Sequence, residues 1–133
     1  MGFAQVNAVA RWLVGMRLTL PRELASRFPE LERVHWRRGG LPLRVAGAFL
    51  GRRSVAAITL WNVVFVASEN VLSAELALHE LGHVRQFAAS WSFPFRYLWD
   101  AALRGYAGSR YEREAQAFAL ERLRAESNLS SRS

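Results

Sequence analysis

The chain has 133 residues, 51% of them hydrophobic, enough to close one core and too few for two ordinary domains, so a single domain over 1–125 is expected. It contains no cysteine, which excludes disulfides, thiolate metal sites and a cysteine nucleophile and leaves nitrogen and oxygen as metal donors. The net charge of +7 is carried by arginine alone, without one lysine, and the pairs at 37–38 and 52–53 lack the aromatic interleaving of a nucleic-acid motif, so no dedicated nucleic-acid binding is expected.

The first segment, "MGFAQVNAVARWLVGMRLTL", reads as an amphipathic N-terminal helix over 1–20. Phe3, Val6, Val9, Ala10, Leu13 and Val14 recur near helical spacing, which predicts packing on the domain. No basic n-region precedes them, and Arg11 and Arg17 interrupt the apolar run before it reaches the roughly 18 residues of a spanning helix. A cytoplasmic location follows as the expectation, with peripheral contact to an acidic surface or membrane through this helix as the sharper alternative.

Pro21 suits the first turn of a short helix over 22–27, which Pro29 ends. "ERVHWRR" predicts a short strand over 32–37, broken by Gly39 and Gly40, and "LPLRVAGAFLG" predicts a short helix. Residues 54–68, "SVAAITLWNVVFVAS", give the strongest strand signal: two antiparallel strands over 55–60 and 63–67, turning at Asn62 and completing a three-stranded sheet. A helix follows from 72 to 89, with Ser73 as N-cap and Glu75 at its positive end. The aromatic run "SWSFPFRYLW" then connects to a helix over 109–126, and residues 126–133 read as a flexible polar tail. The fold class is α+β.

Within the helix over 72–89, "HELGH" places His79 and His83 one turn apart on one face, where both imidazoles can reach a single cation. Chance produces this pattern in roughly one chain of this length in two hundred. The surrounding leucines predict a buried helix, and buried histidines need partners or a metal. Gly82 costs about 1 kcal/mol relative to alanine in a helix and so points to a closely packed neighbour.

A hydrolytic zinc site needs three protein ligands and an open position. The third candidates are His35, Asp100, Glu112, Glu114 and Glu121. Glu112 leads a stripe of Ala115, Ala119 and Leu123 that suits close packing, whereas Glu114 shares its face with Phe118, Glu121 and Arg122, so helical phase favours Glu112. The blander role for Glu112 is a capping box with Ser109.

Together these residues resemble the gluzincin type of zinc metallopeptidase. "HELGH" is similar to its first-helix motif, and "EREAQAFA" to the second-helix pattern E-x-x-A-D-x-x-A, with Glu112 at the ligand position. Residues 34–87 also resemble small bacterial HExxH domains of unassigned function. The resemblance implies a small zincin-like domain in which one zinc ion per chain is held by His79, His83 and Glu112 and Glu80 acts as general base in peptide hydrolysis. It departs at Gln116, where the pattern has an aspartate that supports a ligating histidine. Gln116 can still accept that hydrogen bond, and Glu75 or Asp100 is the candidate for the missing carboxylate. Tyr111, Tyr106 and His35 are candidate oxyanion donors, and the strand preceding the motif helix is the candidate edge for an extended peptide or protein substrate. A catalytically weak binding module on the same fold is the alternative.

Overall fold

Gly15 ends the first helix. In the computed structural model, which describes residues 2–49, 55–104 and 109–133, α1 (Phe3–Val14) stops at Gly15, whose φ of 67° is open to glycine without strain. A Cβ there would lie 2.5 Å from the Arg38 carbonyl oxygen, so the close approach of the two backbone segments also needs the missing side chain. The expected helix over 1–20 is therefore shorter, and Met16–Arg17 form β1 instead. Nor does α1 bury its apolar stripe: none of its residues is buried.

Helix α2 (Arg22–Arg27) follows Pro21 as expected, and Pro29–Arg33 form a 3-10 turn rather than the start of a strand. Strand β2 covers His35–Arg38, then α3 covers Leu41–Phe49. Strands β3 (Ala57–Leu60) and β4 (Val63–Val66) form the predicted hairpin, although the residue that takes positive φ at the turn is Trp61, with Asn62 beside it. The sheet has four strands, not three, in the order β1-β2-β4-β3. β2 and β4 run parallel, and both outer pairings are antiparallel. β1 escapes sequence reading because two residues carry no alternation; pairing to β2 defines it.

Helix α4 (Ala74–Ala89) begins at Ser73, whose Oγ accepts a hydrogen bond from the Leu76 amide, the predicted cap. It is followed by α5 (Phe93–Arg104) and α6 (Arg110–Ser130). Residues 126–130, expected in a flexible tail, continue α6. Glu126 is tied to Arg27 of α2 by two hydrogen bonds of 3.0 and 3.2 Å, a partner 99 positions away. The described residues thus give a mixed α+β fold of six helices and one sheet. The core joins Phe28, Leu31, Val64, Val66 and Leu78, and each such side chain contributes about 1.5–3 kcal/mol on burial.

α4 lies against β3 on one side and α6 on the other. Gly82 permits the second contact, since a Cβ there would stand 2.9 Å from Ala115 Cα and 3.0 Å from its Cβ. Both neighbours are fixed to backbone, so they can only move with α6. The change Gly82→Ala gains about 1 kcal/mol of helix propensity but overpacks the seam. The expected outcome is a net loss of about 1–2 kcal/mol in denaturant unfolding.

Candidate metal centre

α4 and α6 each contribute one part of a donor cluster. His79 and His83 stand one turn apart on α4, their rings 4.9 Å between centroids and nearly perpendicular. Glu112, in the first turn of α6, reaches between them. Its Oε2 lies 3.0 Å from His79 Nε2 and its Oε1 3.2 Å from His83 Nε2. His83 and Glu112 are buried and His79 half-buried. One donor atom from each residue falls within 4.8 Å of the others. Tetrahedral zinc with bonds near 2.05 Å needs donor separations of about 3.3 Å, so the cluster fits a small divalent cation after minor adjustment.

The far side of each imidazole is also fixed. His79 Nδ1 lies 3.0 Å from Gln116 Oε1, and Gln116 Nε2 donates to Glu75 Oε1 at 2.7 Å. The glutamine therefore supplies the acceptor and Glu75 the carboxylate behind it. His83 Nδ1 lies 2.8 Å from Gln86 Oε1, and Gln86 is held in turn by the Tyr111 carbonyl at 2.9 Å. An amide oxygen only accepts, so both Nδ1 atoms carry protons and both Nε2 atoms turn towards Glu112.

Glu80 is buried beside this group but is not part of the donor cluster. Its Oε2 accepts a 2.7 Å hydrogen bond from Thr59 Oγ1 on β3. The carboxylate is thus oriented by the sheet while lining a cleft of about 720 Å³ that also exposes His83, Tyr97 and Glu112. The remaining walls are almost wholly apolar, with Leu13 and Val14 of α1, Val45 of α3 and Phe87 of α4 among them.

Several sequence candidates lie elsewhere. Glu114 is exposed, with Gln86 Nε2 at 3.4 Å from its carboxylate, and Glu121 and His35 are exposed outside the cluster. Asp100 accepts hydrogen bonds from Ser109 Oγ and the Arg110 amide, both at 2.9 Å, and so caps α6 from outside. Ser109 does not cap through its own side chain, and the Ser109–Glu112 box is not formed. Tyr111 does not line the cleft; its hydroxyl accepts from Arg110 Nη2 at 2.7 Å while its ring packs on Phe93. Tyr106 and the Arg52–Arg53 pair lie outside the described residues.

The tyrosine that does reach the centre is Tyr97 of α5. Its hydroxyl donates to Glu112 Oε1 at 2.6 Å, and its ring meets His83 edge-on at 6.0 Å. Tyr97 was hidden inside an aromatic run that reads equally well as packing. Gln86, at i+3 from His83, could have been found by the helical neighbour rule.

The charges settle as an ion cluster. Burial alone would lower the His83 pKa, but contact with Glu112 and the negative charges of Glu80 and Glu112 outweigh it and push the imidazole up to about 9. The same groups raise His79 against its burial. Burial would raise Glu112, yet hydrogen bonds from His79, His83 and Tyr97 hold it well below the usual carboxylate range. For the metal-free protein the sign is clear: a raised imidazole stabilises the fold fully below about pH 6.5, and that contribution is lost as pH rises through about 9. Chelator-treated protein should therefore lose thermal stability across this window. A divalent metal added there should release protons, read by calorimetry in buffers of different ionisation enthalpy.

No protein-family model, curated protein or solved structure matches the chain.

Proposed function

We propose that the chain is a zinc-dependent peptide hydrolase built as a minimal zincin-like domain. The observation that carries this reading is the pairing of a three-residue donor cluster with a separately held carboxylate, Glu80, on the same cleft. A purely structural metal site has no use for that fourth group. Two imidazoles, one carboxylate and no thiolate suit zinc among the common divalent ions. Bound by His79, His83 and Glu112, zinc supplies Lewis-acid polarisation of a carbonyl and lowers the pKa of water towards about 7.

The chain's own residues do the rest. Glu80, oriented by Thr59, takes the proton of the attacking water and returns it to the leaving nitrogen. Tyr97, on the cleft wall, is the donor best situated to meet the developing oxyanion. Gln116 and Gln86 hold the imidazole tautomers. β3 is an outer strand of the sheet and lines the cleft along its length, so an extended peptide can add to it and run past Glu80.

The test is cleavage of a diverse peptide library by the full chain, with mass-spectrometric readout. Cleavage should stop with chelator and return on addition of about one equivalent of zinc. Zinc binding without any cleavage would instead support a non-catalytic binding module on the same donor set.

A further inference from the structure

We propose that α1 and α5 form a docking face for an anionic lipid bilayer. On and just before α5, Trp91, Phe95, Trp99 and Leu103 follow one another at intervals of four residues, and they are 85%, 70%, 70% and 68% exposed. That spacing sets Phe95, Trp99 and Leu103 along one side of the helix, opposite the buried Phe93, with Trp91 exposed in the turn that precedes it. On α1, Phe3 is 88% exposed, and Val6, Val9, Trp12 and Leu13 are exposed with it. Large apolar side chains scattered singly on a surface need no explanation, but two helices that turn such stripes outward do. Both helices contribute walls to the same cleft, through Leu13 and Val14 on α1 and Phe93, Pro94 and Tyr97 on α5.

Charge identifies the occupant. None of the eleven acidic residues falls in 1–22, 33–68 or 81–99, the stretches that hold α1, α3 and the aromatic half of α5. Arg11, Arg44 and Arg96 stand on these elements without an acidic neighbour in sequence, and Asp100, the first acid beyond them, is buried against Ser109. Tryptophan and phenylalanine beside arginine match the headgroup boundary of an anionic membrane, where rings enter the acyl region and guanidinium groups meet phosphate. No helix among the described residues is long and apolar enough to cross a membrane, so the contact lies in the plane of the surface. The inference does not depend on hydrolysis or on the metal.

The experiment uses the full chain with vesicles of equal phosphatidylglycerol and phosphatidylcholine, and with pure phosphatidylcholine vesicles. The protein should sediment with the first and at least tenfold less with the second. Acyl-brominated lipid should quench its tryptophan fluorescence, which reports insertion without any variant. The triple change Trp91→Ser, Phe95→Ser, Trp99→Ser should lower partitioning at least tenfold with unchanged circular dichroism. Failure to bind vesicles overturns the proposal, as does binding without quenching that survives the triple change, which is adsorption by charge alone. A triple variant that turns a dimer into a monomer, with no vesicle binding by either form, assigns the face to a second copy and overturns it equally.

Discussion

Replacing Glu80 by glutamine should lower kcat for peptide cleavage by about 10²–10⁴-fold and leave the metal content unchanged. The two effects separate because the carboxylate belongs to the cleft and not to the donor cluster. Glutamine has nearly the same shape, and its side-chain oxygen can keep the 2.7 Å hydrogen bond from Thr59, so the α4–β3 contact survives. What it lacks is the capacity to take a proton from water at neutral pH. Aspartate in its place would retain the basicity but withdraw the carboxylate by one methylene, and partial activity is expected. The measurements are steady-state kinetics on a peptide identified from the library and metal stoichiometry by mass spectrometry. An E80Q protein that cleaves at the wild-type rate would remove Glu80 from the chemistry.

How much of this was visible in the sequence depends on the range of the forces involved. α4 was legible in full because its signals are local: a serine cap, an uninterrupted helical phase and an imidazole pair at i, i+4. Glu112 was legible through phase, since Ala115 and Ala119 below it had to face something close, and Gly82 is the other half of that contact. Gln116 could be read as the histidine's acceptor only through the resemblance to the second-helix pattern, whose aspartate it replaces, and its bond to Glu75 depends on how the two helices sit.

Elements defined by distant partners were not legible. β1 exists because β2 lies beside it, and the last turn of α6 is held by Arg27 from the other end of the chain. The segment 90–104 hid its helix for a different reason. Apolar residues occur on every side of it, so no single face stood out, and the division of labour between Phe93 and Tyr97 inside and Trp91, Phe95 and Trp99 outside appears only in three dimensions. That division also explains why the tyrosine that reaches the cluster is Tyr97 and not the expected Tyr111. The N-terminal stripe shows the converse error. Helical spacing predicted where apolar groups would line up, but periodicity says nothing about what covers them, and α1 leaves them exposed.

The change His83→Ala should abolish stoichiometric zinc binding, while Gln116→Ala should weaken it by only about 10–100-fold. The ranking follows from position. His83 is the most buried of the three donors, 3.2 Å from Glu112 Oε1, and its removal leaves one imidazole and one carboxylate, one short of the three protein ligands a zinc site of this type needs. Loss of Gln116 leaves all three donors in place and removes the acceptor at His79 Nδ1 together with the hydrogen bond to Glu75. Glu112→Ala should match His83→Ala in metal loss but differ in stability. It strips the two imidazoles of the carboxylate that holds their pKa values up, and burial then favours their neutral forms. Because an imidazole can release its proton, the cost should stay below the about 3–5 kcal/mol expected when a buried charge is left unpaired. Metal titration with a competing chromophoric chelator and urea unfolding of the metal-free variants measure both quantities. Unchanged zinc affinity in His83→Ala would refute the donor assignment.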